Sequence, residues 1–161
     1  MSGKPEESRI QRFLSCWFRD GVDAVSSRLP GGDLNDCYRA EKNNQAFVLR
    51  IYTRSSTRKM VEEELEVVQR MSERLPEVLP PIAALSGDPC VECGGRVATL
   101  SDFAEGERPE RTKALRRAAA DLLARIHLTG SELGVHCHRS TYPPIKKLNW
   151  QSNRWWDLRD V

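Results

Sequence analysis

The chain has 161 residues, 39% of them hydrophobic and 30% charged, the composition of a packed domain and not of a disordered or fibrous chain. Twenty-five Lys and Arg against 23 Asp and Glu leave a formal charge of +2, too balanced for phosphate-backbone attraction, so neither nucleic acid nor a membrane surface is expected as a partner. The opening residues MSGKPEESRIQRFLSCWFRD are charged throughout, with no readable secretory signal or transmembrane span, which points to the cytoplasm and to free thiols at the five cysteines.

Ile10, Phe13, Leu14 and Trp17 recur at i, i+3, i+4 and i+7, so residues 7–18 are expected as a helix with one buried stripe, an N-terminal element over residues 1–22. After Gly21 the period changes: AVSSRLP, NDCYRAE and AFVLRIY read as three short extended segments joined by the Gly-Gly-Asp stop and by Asn43-Asn44. From Thr57 to about Leu75 the pattern is helical, with Val61, Leu65, Val68, Met71 and Leu75 on one stripe, until Pro76 and Pro80-Pro81 forbid continuation. IAAL, PCVEC and RVATLSDF follow as strands, separated by the turns Ser86-Gly87-Asp88 and Gly94-Gly95. Gly106 and Pro109 mark a linker. Residues 110–128 then read as a second long helix whose Leu115, Ala118, Leu122, Leu123 and Ile126 are expected to face inward. Beyond Gly130 the periodicity fades, and three of the four tryptophans (Trp150, Trp155, Trp156) come with no element to bury them. Strands at hairpin distance leave no room for crossover helices, so the fold expected is α+β: one antiparallel sheet with a helix packed across it.

Glu64 is a charge in an unexpected place. On a wheel of residues 57–75 it falls inside the apolar arc, while Glu62, Glu63 and Glu66 fall outside. A carboxylate held against a core needs a cationic partner, and Arg50, alternating with apolar neighbours in AFVLRIY, is the candidate. The plain alternative is a solvated glutamate and a snorkelling arginine. Gly31 and Gly32 sit between two strands, where backbone N–H groups can approach a phosphate, yet adjacent glycines are also ordinary turn residues and no P-loop or GxGxxG is present. Cys90 and Cys93 have zinc-knuckle spacing that His136, Cys137 and His138 could complete, or PCVEC-GG-RVATL is an ordinary hairpin. His127 reads as a packing or helix-end residue. The tail WQSNRWWDLRDV could anchor a partner or a second copy of the chain, giving self-association.

Strand, Gly-Gly turn, strand, VLR strand and Glu-bearing helix, in that order, resemble the N-terminal lobe of the aminoglycoside phosphotransferase and homoserine kinase type II family, itself similar to that of protein kinases. The stretches that carry the resemblance are LPGGDLNDCYRAE, FVLRIY, VEEELEVVQRM, VLPPIAAL-SGD with RVATLSDFAEGE, and LLARIH, together about residues 24–128. The resemblance implies a kinase-like N-lobe over residues 23–103, a hinge or linker over 104–109, and the incomplete start of a C-lobe over 110–161. It implies ATP and Mg²⁺ as cofactors, and a small-molecule hydroxyl acceptor bound mainly by the C-lobe. It also implies site residues: Gly31, Gly32 and Asn35 over the ATP phosphates, Arg50 on the α/β-phosphates with Glu64 as its ion-pair partner, Val48 on adenine, and Ser101, Asp102 and Phe103 as the hinge. Family members carry an HGDxxxxN loop and then a metal-binding aspartate after the LxxxH helix, and neither occurs in this sequence. No catalytic or metal-binding residue is therefore assigned, and the chain alone is expected to be inert. The alternative is a kinase-like remnant that acts as a non-enzymatic interaction protein.

Overall fold

The computed structural model describes residues 3–30, 34–106 and 112–134. The elements run α1 (Gly3–Leu14), β1 (Ala24–Arg28), β2 (Asp36–Lys42), β3 (Gln45–Ile51), α2 (Arg58–Ser72), β4 (Val91–Cys93), β5 (Arg96–Asp102) and α3 (Lys113–Glu132). The strands form one antiparallel sheet in the order β1-β2-β3-β5-β4. Two tight turns set its register. Asn43 and Asn44 take φ of 52° and 61°, and Gly94 and Gly95 take 59° and 70°, the left-handed pairs whose twist matches a two-residue hairpin. The first turn pairs Lys42 with Gln45 and so fixes β2 against β3 out to Asp36 and Ile51.

Period-two alternation then separates two faces. On the rear face Phe47, Leu49 and Ile51 of β3 line up with Tyr38 and Ala40 of β2 and with Ala98 and Leu100 of β5, and α1 covers them with Ile10, Phe13 and Leu14, joined by Trp17. At roughly 1.5–3 kcal/mol for each large apolar side chain removed from water, this layer is the main source of stability. The front face has a smaller cluster, Tyr52 and Val97 with Val61 and Leu65 of α2 and Cys90. Thr57 caps α2, its hydroxyl accepting from Met60 N at 3.3 Å. The sheet is thus covered behind by α1 and at one end in front by α2.

Several boundaries depart from the sequence reading. The segment IAAL is not a strand: Ile82 N donates to Leu100 O at 2.7 Å, but Pro80 and Pro81 have no N–H with which to extend a ladder. Trp17 lies beyond the end of α1 and remains buried, its Nε1 donating to Ile82 O at 2.8 Å. The helix α3 begins after the cap Thr112 and runs through Gly130 to Glu132. Its stripe faces inward only in part: Leu122 and Ile126 are half-buried, but Leu115 is 43% exposed and Leu123 54%, and Leu128, outside the stripe, is 64% exposed. The links from α3 to the end of α2 are polar, Arg125 to Glu77 at 2.6 Å, Arg74 to Glu132 at 2.9 Å and Arg70 Nη2 to Leu133 O at 2.8 Å. They orient the helix without covering these leucines. Among the described residues no helix is long and apolar enough to cross a membrane.

Candidate functional site

The sequence AFVLRIY places Ala46, Val48, Arg50 and then Tyr52 on the front face, since their neighbours Phe47, Leu49 and Ile51 are committed to the rear core. Register supplies their flanks. Cys37 and Thr99 stand beside Arg50, and Arg39 and Ser101 beside Val48. This row lies next to α2, which delivers Glu64.

Arg50 Nη1 lies 3.7 Å from Glu64 Oε1, and the Tyr52 hydroxyl donates to the same oxygen at 3.0 Å. The sequence reading pressed Glu64 against the core. The structure puts it instead at the rim of the α2 contact, where its side chain and that of Arg50 are each 48% exposed, and the phenol of Tyr52 takes the buried position. Burial and the adjacent Glu64 carboxylate push the Tyr52 hydroxyl up to about 12, so it is a permanent donor near neutrality. Burial pulls the Arg50 guanidinium down, but Tyr52, Cys37 and Glu64 more than offset this, and it holds its charge above the usual arginine range. At half exposure such an ion pair is screened and contributes about 1 kcal/mol or less to stability. Its effect is to fix the direction of a cation.

Gly31 and Gly32 lie outside the described residues. The base of their loop is held firmly. Asn35 Oδ1 accepts from Thr53 N at 3.2 Å, just past β3, so this side chain ties the loop to the strand that bears Arg50. Asp36 accepts from Arg96 Nη1 at 2.9 Å through one oxygen and stands 3.0 Å from Arg28 Nη2 through the other. Arg96 also donates from Nε to Tyr52 O at 2.8 Å.

At the far end of β5, Phe103 N donates to Ala46 O at 3.0 Å and Asp102 Oδ1 accepts from Gln45 Nε2 at 3.1 Å. The antiparallel ladder alternates, so with Phe103 bonded toward β3 the backbone N–H and C=O of Asp102 turn to the opposite edge. Ser101 is half-buried beside Val48. Of the described residues of the sequence-derived set, Val48 and Ser101 stand in the middle of one face, with Phe103 at one end and Arg50, Glu64 and the loop anchor Asn35 at the other, whereas the Asp102 side chain, opposite Phe47, belongs to the rear face and only its backbone serves this edge.

The zinc alternative does not assemble on its described side. Cys90 is buried with the α2 cluster in front, whereas Cys93 packs against the α1 cluster behind, so the two thiols diverge. His136, Cys137, His138 and the tryptophans Trp150, Trp155 and Trp156 lie outside the described residues, and His127 is exposed on α3. Three contributors escaped the sequence reading: Tyr52, Arg96 and Arg39, whose guanidinium carbon lies 4.7 Å from the Phe103 ring centroid. Tyr52 was within reach, since it continues the alternation of Val48 and Arg50.

The sequence matches the phosphotransferase enzyme family over residues 26–160. A spectinomycin phosphotransferase in complex with ADP and spectinomycin superposes with a TM-score of 0.52 at 10% identity, over 66% of this chain and 32% of that one. A microcompartment-associated aminopropanol kinase gives a TM-score of 0.52 at 19% identity, over 64% of this chain and 33% of the other. At such identities the likeness shows the fold: an α+β lobe of the kinase-like N-terminal type. The chain spans about a third of the length of either structure. No curated protein matches.

Proposed function

The chain belongs to the phosphotransferase enzyme family, and on that premise we propose that it is the nucleotide-binding lobe of an ATP-dependent small-molecule phosphotransferase, inert as the 161-residue chain alone. The observation that carries this reading is the shared oxygen of Glu64, which with Tyr52 directs the Arg50 cation along the front face, two residues from Val48. A fixed cation at one end of an apolar floor, with a strand edge at the other, suits a molecule with an anionic end and a flat polar-edged ring.

ATP fits these residues, and when bound it supplies the phosphoryl group. Arg50 would contact the α/β-phosphates, where its fork offers two parallel donors that a lysine lacks. Glu64 would keep it aimed. Gly31 and Gly32 would lend backbone N–H groups, with Asn35 holding their loop in place. Val48 would lie under the base, and the edge of Ser101, Asp102 and Phe103 would read it, with the Asp102 carbonyl as acceptor. Residues 104–109 would be the hinge to the second lobe. No Mg²⁺ ligand is assigned: the HGDxxxxN loop is absent from the sequence, and among the described residues no group of three His, Cys, Asp or Glu side chains comes together. Without a base and a metal carboxylate, the nucleophile is not positioned and developing charge is not neutralised. The acceptor would be a small molecule with a hydroxyl, the broad class that holds spectinomycin and aminopropanol. A cytoplasmic location belongs to the same proposal.

Binding of ATP, followed by calorimetry or backbone-amide NMR, tests it. Arg50→Ala is expected to weaken ATP about 10-fold, the effect of losing a charged hydrogen bond, and equal binding by both proteins refutes the assigned site. Turnover assays of the 161-residue chain with aminoglycosides, amino alcohols and sugars should give no product above background, and robust product formation would refute inertness. The exposed leucines of α3 favour a second reading, a kinase-like remnant that binds a partner protein; it predicts a chain that neither turns over nor binds ATP.

A further inference from the structure

One front-face side chain has no part in the roles above. Arg39 stands on β2 opposite Val48, which stands opposite Ser101 on β5, so the three form one row across the sheet. Phe103 continues the β5 side of that face, its N–H bonded across β3 to Ala46 O. The Arg39 guanidinium carbon lies 4.7 Å from the centroid of that ring. Since β2 and β5 flank β3 at roughly 4.8 Å on either side, the Arg39 and Phe103 side chains meet over β3, beside Val48. Two carboxylates hold it there, Glu41 at 3.2 Å and Glu105 at 3.5 Å from Nη2. A planar cation laid over an apolar floor, already in contact with one aromatic ring, is built to accept another flat π-surface.

We propose that Arg39 is the base-recognition residue of this lobe, stacking on the ring of a purine nucleotide laid against Val48 and exchanging the Phe103 ring for the base. This rests on the nucleotide-lobe reading above. The two arginines then divide the ligand. Val48 and Arg50 are two residues apart on β3, roughly 7 Å, about the separation of a base from its first phosphates, so Arg39 takes the base and Arg50 the phosphates. Glu41 and Glu105 keep the Arg39 charge at the base end and stop it from competing for phosphate. A two-ring purine offers the guanidinium a larger face than a pyrimidine, so the device selects purine nucleotides.

The experiment titrates the 161-residue chain, Arg39→Ala and Arg39→Lys with adenosine, ATP, CTP and inorganic tripolyphosphate, following backbone amides by NMR, which also reports whether each variant keeps its fold. Arg39→Ala should weaken adenosine and ATP by the same factor, about 3- to 10-fold, narrow the gap between ATP and CTP, and leave tripolyphosphate unchanged. Arg39→Lys, with the charge but not the plane, should fall between. Equal adenosine binding by wild type and Arg39→Ala, or an equal loss of tripolyphosphate and adenosine, overturns the inference and leaves the nucleotide-lobe reading standing. A wild-type chain that responds to none of the four ligands overturns that reading, and this inference with it.

Discussion

The Tyr52 hydroxyl and Arg50 Nη1 share one oxygen of Glu64, at 3.0 Å and 3.7 Å, so a buried phenol anchors the carboxylate that aims a half-exposed cation. Because the folded-state pKa of Tyr52 is raised from 10.0 to about 12, its contribution to stability is fully present below about pH 10 and is lost as pH rises toward 12. Two units correspond to about 2–3 kcal/mol. Tyr52→Phe keeps the ring in its cluster and removes the titration. Urea unfolding at pH 8 and pH 11 should show wild type more stable at the lower pH and the gap to Tyr52→Phe closing at the higher. Curves that fall in parallel would rule out the phenol as the titrating group.

Arg96 bonds to Asp36 and to the carbonyl of Tyr52, and it also reaches Ile51 O at 3.4 Å. Removing it leaves the partly buried Asp36 carboxylate to the more exposed Arg28 and takes a donor from two strand-end carbonyls. Arg96→Met should cost about 2–4 kcal/mol, and adding Asp36→Asn should recover part of that loss. Denaturant unfolding measures both. Because Asp36 and Asn35 form the base of the glycine loop, hydrogen exchange at residues 34 and 35 should accelerate more than at the rear core; uniform acceleration would mean that Arg96 acts on the fold as a whole.

Legibility in the sequence followed the range of the forces involved. The strands β1, β2 and β3 and the helix α2 were readable because alternation and the proline and glycine stops are local signals. The pair Arg50 and Glu64 was readable because each sits in a periodic element. Its half-exposed setting was not, since the wheel shows which way Glu64 points but not how far α2 reaches over the sheet. Arg39 was accessible in principle. A two-residue turn at Asn43-Asn44 pairs Lys42 with Gln45, and counting outward sets Arg39 opposite Val48 and Cys37 opposite Arg50. Arg96 was not, because its partners Asp36 and Tyr52 are distant in sequence and meet only once β3 and β5 pair.

The family match begins at residue 26, yet α1, which precedes it, supplies Ile10, Phe13 and Leu14 to the core behind β3. Phe13→Ala should therefore cost about 3–5 kcal/mol, as much as a core substitution within the matched region such as Leu49→Ala. Thermal unfolding compares the two. A Phe13→Ala loss below about 1 kcal/mol, the scale of a surface change, would make α1 an accessory.

Leu115, Leu123 and Leu128 form the opposite case. They stand exposed on α3, spread around the helix and not along one stripe. Leu and Gln have similar helix propensities, so an exposed Leu→Gln change costs little locally. The triple variant Leu115→Gln, Leu123→Gln, Leu128→Gln should shift the unfolding free energy by no more than about 0.5 kcal/mol per site. Exposed leucines favour association between copies, so the variant should also shift concentration-dependent light scattering toward the monomer. A large stability loss with unchanged scattering would mean that these leucines are buried within the chain in solution and serve its own fold.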